Sequence, residues 1–416
     1  MGQTAYINTK FPASAVKTPL ALRLKLDVPL TATILALLAI GALFVFSASW
    51  QETNIQGEQV TYLLFNQLKY IFGGIIIAAV ISMFDYHRYQ RLLVPILVIT
   101  LVALVAVLLL RNERNGAVRT LFGGSVQPVE FAKLAVIIYL SFWLYAKRDV
   151  LNNISFGLFP MAIILGVVMG LIMLEPDISG TVTIFFLGGL LFFLAGGELR
   201  QIVLVIVVAA LVGGAILSFS HTAQTRIGEF VAGLQDPENS SNHVLRSIEA
   251  IVRGGGFGVG IGRSTTKFTG LPFPWTDSIF AVITEETGFA GALGVIALYG
   301  IFLWRGLAIA KRAPDLLGRL LAASITLWVA FEAFVNMSQM VNLLPFAGNA
   351  LPLISYGGSN MIAIMIAIGV LMNVARSSKN EPSEGIGRSY SAVVDLRRGN
   401  RRRRVSRPVG SEEAGE

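Results

Sequence analysis

The sequence contains no cysteine and only three histidines, and these absences exclude several kinds of chemistry. Without cysteine, the chain has no disulfide, no thiolate nucleophile and no zinc site built on thiolates. His87, His221 and His243 are far apart in the sequence, and no HExxH, P-loop or GxGxxG string is present. The sequence therefore gives no support for a zinc enzyme, a P-loop nucleotide site or a dinucleotide site.

Charged residues are also scarce, at 14% of the chain against 54% hydrophobic residues. The mean hydropathy is +0.68, which is too apolar for a soluble protein to cover with polar surface. Many apolar runs of about 18 residues or more follow one another with short polar gaps, and each of these is long enough to cross about 30 Å of hydrocarbon as a helix. We therefore predict an all-α polytopic membrane protein with a single membrane domain, residues 28–375.

About ten transmembrane helices are predicted in that domain. Both termini then lie on one side, and the Lys and Arg residues of the tails and even-numbered loops indicate that this side is the cytoplasm. Residues 1–27 form a basic cytoplasmic tail, and residues 376–416 form another, whose low hydrophobicity and high charge predict disorder. Its arginines suit anionic inner-leaflet lipid better than nucleic acid. The predicted spans are Val28–Phe46, Tyr70–Met83, Leu92–Leu110, Phe131–Tyr145, Phe156–Leu174, Thr181–Ala195, Ile202–Phe219, Ser278–Leu303, Leu320–Val335 and Met361–Val374.

Two of the predicted outer loops carry positive charges against the usual rule. One holds Arg119, and the other, residues 220–277 between the seventh and eighth spans, holds Arg253, Arg263 and Lys267. Topology alone leaves two interpretations open. The charges are tolerated surface charges of long loops, or they bind an anionic ligand on the outer face.

The long loop also contains six glycines between Gly254 and Gly262. Such a run can form a flexible hairpin between helices, or it can bring backbone N–H groups close to a ligand. Because arginine and lysine flank the run, the second interpretation predicts a phosphate or diphosphate as the ligand.

Asp277 ends this loop and stands immediately before the next apolar span. Thr276, Asp277 and Ser278 are all good N-cap residues, so capping that helix is one role for Asp277. The other role is general-base catalysis, because an acid at a helix mouth beside a half-dry cavity can have its pKa tuned for proton transfer.

Three further charged residues stand within or near apolar spans. A carboxylate such as Glu285 is costly there and marks a functional candidate, unless it pairs with a cation of another helix to hold the bundle. Glu130 and Lys133 are one helical turn apart, which predicts either a local ion pair or a lysine that reaches an anionic headgroup.

Six short strings stand in order along the chain: Phe46 to Ser49, Gln127 to Lys133, Glu175 to Asp177, Gly255 to Gly262, Thr276 to Val282 with Glu285 and Glu286, and Pro352 to Ser359. As a set, they resemble the SEDS family of bacterial shape, elongation, division and sporulation proteins, the FtsW, RodA and SpoVE type. Where that family usually has a tryptophan, this chain has Thr120, which leaves the role of the position open.

The resemblance implies a peptidoglycan glycosyltransferase that polymerises lipid II on the outer face of the bacterial cytoplasmic membrane and releases undecaprenyl diphosphate. It also implies a class B penicillin-binding transpeptidase as partner, together with other division or elongation proteins. Asp277 matches the family's essential loop aspartate, and Lys133 matches the lysine of its Q-P-x-E-x-x-K string. We expect Asp277 to be the catalytic base. The expected substrate-binding residues are Lys133, Arg253, Arg263, Lys267, Arg119, Glu130 and Glu285.

Several alternatives remain open at this point. No cofactor or metal site is predicted, although a divalent cation is an alternative to cationic side chains for stabilising the departing diphosphate. A transporter is the main alternative function, either a lipid II flippase or a secondary carrier that uses acids such as Glu285, Glu286 or Asp177. The third is a non-catalytic scaffold for a class B penicillin-binding protein. The choice between a division and an elongation member is also open, and the basic tails favour division.

Overall fold

The computed structural model describes residues 27–55, 61–110, 120–121, 126–219 and 221–378. Most of these residues are helical, and the described ranges contain no β-strand beyond an isolated bridge between Leu121 and Val126. Most of both predicted tails lies outside the described residues. The α-helices in these ranges are α1 (Val28–Ile55), α2 (Tyr62–Met83), α3 (Leu93–Leu110), α4 (Pro128–Lys147), α5 (Phe159–Leu174), α6 (Ile178–Leu194), α7 (Leu199–Phe219), α8 (His221–Gln235), α9 (Asn242–Gly254), α10 (Ile279–Lys311), α11 (Leu316–Met340) and α12 (Gly358–Ser377).

Every predicted span overlaps one of these helices, and several helices extend further than predicted. In the part of the chain that the structure describes, eight helices are long and apolar enough to cross a membrane. Two shorter apolar stretches, Ile178–Leu194 and Leu199–Leu211, accompany them. The predicted class, an all-α polytopic membrane protein, is thereby confirmed. The count of ten crossings, their direction and the domain limits stay predictions.

The most deeply buried part of the bundle lies around α11 and α12, which pack on each other and on α4 and α10, while α12 also packs on α2. Lipid is as apolar as these side chains, so the helices associate through close packing rather than through exclusion of water. Glycines allow that approach: an alanine Cβ at Gly306 would lie 2.1 Å from Thr326 Oγ1, and one at Gly369 would lie 2.9 Å from the Ala78 carbonyl oxygen. These contacts hold α10 against α11 and α12 against α2.

The long segment between α7 and α10, predicted as an outer loop, folds into α8 and α9 followed by glycine-rich turns. The Ser241 hydroxyl caps the start of α9 and accepts a hydrogen bond from Val244 N at 3.4 Å. Val244, Ser247 and Ala250 are buried along one face of α9, and α9 packs mainly on α10. The segment is therefore a folded layer attached to the bundle.

Helix α10 is interrupted at Gly288, whose φ of 70° and ψ of −170° do not fit a helix. A break of this kind frees backbone N–H and C=O groups that must find partners within the protein. The glycine run supplies those partners. The bonds that close the gap run from Val259 N to Glu285 O (3.0 Å), from Gly260 N to Glu286 O (3.0 Å), from Phe289 N to Gly255 O (2.8 Å) and from Ala290 N to Gly256 O (3.1 Å).

Glycine is required at positions 258 and 288 because the backbone of the glycine run touches the backbone of α10 there. An alanine Cβ at Gly258 would lie 2.2 Å from Glu286 O, and one at Gly288 would lie 2.4 Å from Gly258 N. Both glycines also have positive φ, 80° and 70° respectively. The glycine run therefore serves contact between two protein segments, which favours the hairpin interpretation over close approach to a ligand.

Candidate active site

Polar residues at the ends of several helices line one cavity of about 380 Å³. Gln127 is the N-cap of α4, Asp177 of α6 and Gly357 of α12, while Asp277 stands two residues before the first residue of α10. The N–H groups of a first helical turn point outward and give each helix start a partial positive charge. The cavity thus combines the starts of four helices with ionisable side chains. Within the described ranges, its acidic and basic lining residues are Glu130, Lys133, Asp177, Asp277 and Glu332.

Asp277 is half-buried in the turn that leads into α10 and lines the cavity. Its carboxylate stands beside the loop before α12, because an alanine Cβ at Gly348 would be 3.3 Å from Asp277 Oδ2. The N-cap of α10 is Ser278, whose hydroxyl donates to Pro272 O at 2.9 Å. The structure therefore gives the N-cap position to Ser278 and leaves Asp277 at the cavity wall.

Buried polar side chains fix the main chain around Asp277. Asn336 of α11 is fully buried and donates its amide N–H groups to Asp277 O (2.8 Å) and to Asn349 O (2.5 Å). The Ser355 hydroxyl donates to Thr276 O at 2.6 Å. The turn that presents Asp277 is thus held by α11 on one side and by the loop before α12 on the other.

Lys133 pairs with two carboxylates at the cavity wall. Its Nζ lies 2.8 Å from Glu130 Oε1 on α4 and 2.5 Å from Glu332 Oε1 on α11. Asn360, at the start of α12, donates to Glu130 Oε2 at 2.9 Å. The three charged residues are between 2% and 7% exposed. The pair expected from the spacing of Glu130 and Lys133 is present, and Glu332 adds a second acid from another helix.

Glu332, Asn336 and Asn360 are not among the site residues predicted from the sequence. Glu332 carried a usable signal, since a carboxylate inside an apolar span is a functional candidate. The two asparagines carry no such signal, because their partners are distant in the chain: main-chain oxygens for Asn336 and the Glu130 carboxylate for Asn360. Asp177, which was not among the predicted site residues of the glycosyltransferase, lines the cavity and caps α6 by accepting from Gly180 N at 3.0 Å.

Lys267 and Glu285 lie in a second buried cluster and do not line the cavity. Lys267 Nζ is 2.7 Å from Glu286 Oε1 and 3.0 Å from Ser47 Oγ. Thr265 N donates to Glu285 Oε1 at 3.0 Å. This cluster ties the glycine-rich segment to α1 and α10, which favours the interpretation that these acids hold the bundle. A substrate contact by Lys267 or Glu285 stays a prediction.

The two predicted arginines of the long segment are exposed, and neither lines the cavity. Arg253 donates to the Thr265 hydroxyl. The side chain of Arg263 passes beside Gly260, where an alanine Cβ would lie 3.3 Å from its Cδ. Arg119 lies outside the described residues. Of the predicted site residues, the structure brings together Asp277, Glu130 and Lys133.

His243, near the start of α9, packs against aromatic rings close to the Asp277 turn. Its ring centroid is 4.2 Å from that of Phe346 and 6.1 Å from that of Phe273. Partial burial, together with the charge of Arg226, lowers the pKa of His243 to about 4. The imidazole is therefore neutral near pH 7, and it joins α9 to the two loops as an uncharged ring.

Known proteins resemble this chain over most of its length. A model of the FtsW/RodA/SpoVE family, described as a cell cycle protein, matches residues 28–380. The "Probable peptidoglycan glycosyltransferase FtsW" of Trichlorobacter lovleyi is 34% identical over 363 residues, covering 86% of this chain and 95% of that protein. Stage V sporulation protein E of Bacillus subtilis is 34% identical over 368 residues, covering 85% and 98% respectively.

Solved structures share the fold. A chain of a peptidoglycan synthase complex matches with a TM-score of 0.71 and 27% identity, covering 86% of this chain and 99% of that one. The rod shape determining protein RodA of Thermus thermophilus matches with a TM-score of 0.64 and 25% identity, with the same coverage.

Proposed function

This chain belongs to the FtsW/RodA/SpoVE family, and we propose that it is a peptidoglycan glycosyltransferase that polymerises lipid II and releases undecaprenyl diphosphate. One observation carries the proposal. Asp277 and Lys133, which come from separate strings of the sequence, line a single cavity on which the starts of four helices converge. The names of the relatives support the same reaction.

Asp277 is the proposed general base of this reaction. The 4-hydroxyl of one disaccharide attacks the anomeric carbon of another, so that a new C–O bond forms as the bond to the diphosphate breaks. The hydroxyl proton passes to the Asp277 carboxylate. The bonds from Asn336 and Ser355 to the surrounding main chain keep this carboxylate in place, which lowers the entropic cost of reaching the transition state.

Positive charge near the departing diphosphate stabilises the negative charge that develops on it as its bond to the sugar breaks. The starts of α4, α6, α10 and α12 offer outward N–H dipoles at the cavity wall, where no reorganisation is needed as charge develops. Lys133 adds a full charge, although two carboxylates offset it. Arg119, Arg253 and Arg263 are further proposed contacts to the anionic headgroup.

A class B penicillin-binding protein is the proposed partner, because a matching chain comes from a peptidoglycan synthase complex. The protein is a multi-pass membrane protein, and we place it in the bacterial cytoplasmic membrane with both termini in the cytoplasm. This orientation puts the cavity on the outer face, where the sugar headgroup of lipid II is polymerised.

Reconstitution separates this function from the two alternatives. The purified protein and its class B partner are placed in vesicles with labelled lipid II, with the partner alone as the control. Glycan chains that depend on the protein are the expected product. Movement of lipid II across the bilayer without polymer would instead favour a flippase. Partner binding with neither activity would favour a scaffold.

A further inference from the structure

Glu332 is a second carboxylate on Lys133, whose charge is already balanced by Glu130. Glu130, three residues before Lys133 on α4, forms an ion pair with it at 2.8 Å, and its second oxygen is engaged by Asn360. Glu332 approaches the same ammonium at 2.5 Å from α11. With all three groups ionised, the triad carries a net charge of −1.

The substrate and the product of the proposed reaction are both diphosphates. Among the described lining residues, Lys133 is the one side chain with a full positive charge, against four carboxylates. A second carboxylate on that lysine lowers the attraction of the cavity for a diphosphate, since the charges act across a partly dry space. The helix starts attract the diphosphate, and Glu332 opposes them.

We propose that Glu332 is a positioning residue that fixes the Lys133 ammonium between α4 and α11 and limits how tightly the cavity holds a diphosphate. This inference rests on the proposed function. An enzyme that adds many sugars in succession must release undecaprenyl diphosphate after each step. Tight binding of substrate and product alike lowers KM but slows turnover, so a charge that weakens both favours kcat.

Glu332→Gln tests whether the charge of Glu332 weakens the binding of a diphosphate. The substitution keeps the shape of the side chain and removes its charge. In the complex with the class B partner, KM for lipid II should fall roughly tenfold, and inhibition by added undecaprenyl diphosphate should become roughly tenfold stronger. The value of kcat should fall because product release becomes slower. Glu332→Asp keeps the charge on a shorter side chain, so its KM and product inhibition should change less than those of Glu332→Gln.

Lys133→Met is the counterpart of Glu332→Gln, with the opposite expected effect on KM. It removes the positive charge of the same triad and should raise KM for lipid II. A triad with a purely structural role would move KM in the same direction in both neutral variants. A rise in KM for Glu332→Gln, or no change in KM and product inhibition, would overturn the inference.

Direct binding keeps the test independent of turnover and of folding. Undecaprenyl diphosphate is titrated into the detergent-solubilised complex for each variant whose thermal unfolding matches the original protein. Tighter binding to Glu332→Gln supports the inference, and equal or weaker binding contradicts it. If lipid II is never polymerised, even by the unsubstituted complex, then the proposed function fails, and that result is separate from the binding outcome.

Discussion

Asn336 and Asp277 are joined by a hydrogen bond of 2.8 Å that links α11 to the turn before α10. The donor is the fully buried side-chain amide of Asn336, and the acceptor is the main-chain oxygen of Asp277. The same nitrogen reaches Asn349 O at 2.5 Å. Because an amide NH₂ has two hydrogens, one side chain holds both loops at the cavity.

Replacement of Asn336 by aspartate should separate the two loops. The substituted side chain has nearly the same shape, but it offers oxygens to two carbonyl oxygens and leaves them without a donor. Such losses cost about 1–3 kcal/mol each, and misplacement of Asp277 should lower polymerisation at least about tenfold per folded molecule. Thermal unfolding and initial rates with lipid II measure the two effects.

Asn373→Asp is the matched control for this substitution. Asn373 is also buried and donates to Ser82 O at 2.9 Å, but it does not line the cavity. The Asn373→Asp variant should be less stable, but its polymerisation rate per folded molecule should not change. If Asn336→Asp and Asn373→Asp have the same rate per folded molecule, Asn336 does not position Asp277.

Gly288→Ala should destabilise the protein strongly. The added Cβ would lie 2.4 Å from Gly258 N, and the φ of 70° is unfavourable for any residue with a side chain. The expected cost is about 2 kcal/mol or more. Gly294→Ala, on the same helix, has no heavy atom within 4 Å of the added Cβ and should be neutral or slightly stabilising. Equal thermal stability of the two variants would show that the glycine run does not fill the break in α10.

The spans could be predicted from sequence because each is a local feature, a long apolar run. Asp277 and Lys133 could be predicted because they sit in short strings at span ends. The contacts that organise the site join residues far apart in the chain, such as Lys133 with Glu332, and no local pattern encodes them. The role of the glycine run was open for the same reason, since its partner is a break in a helix that reads as continuous.

Lys267→Met should destabilise the protein because it leaves Glu286 buried without its cation. Removal of one partner from a buried ion pair typically costs about 3–5 kcal/mol. The double variant with Glu286→Gln should recover part of that loss, as measured by chemical or thermal unfolding. If the cluster is structural, the folded protein keeps its KM for lipid II. A raised KM with unchanged stability would instead support Lys267 as a substrate contact.

The stability of the protein should depend on His243 below neutral pH. Its pKa is lowered to about 4 by burial and by Arg226, from an ordinary value of 6.5, so folding favours the neutral ring. The stabilisation of the folded state by the neutral His243 ring is complete above pH 6.5. It is lost as the pH falls toward 4, because the unfolded chain binds the proton first. His243→Phe keeps a ring beside Phe346 and cannot titrate, so its unfolding temperature should fall less over this range. Parallel pH profiles for both proteins would contradict this assignment.

Polymerisation of labelled lipid II by the Asp277→Asn variant, with the class B partner present, tests the central claim most directly. The substitution preserves the size of the side chain and removes its ability to accept the hydroxyl proton. We expect a loss of about 100-fold or more in glycan formation, with thermal unfolding and binding of lipid II unchanged. Glycan formation at the rate of the unsubstituted protein would contradict the assignment of Asp277 as the general base.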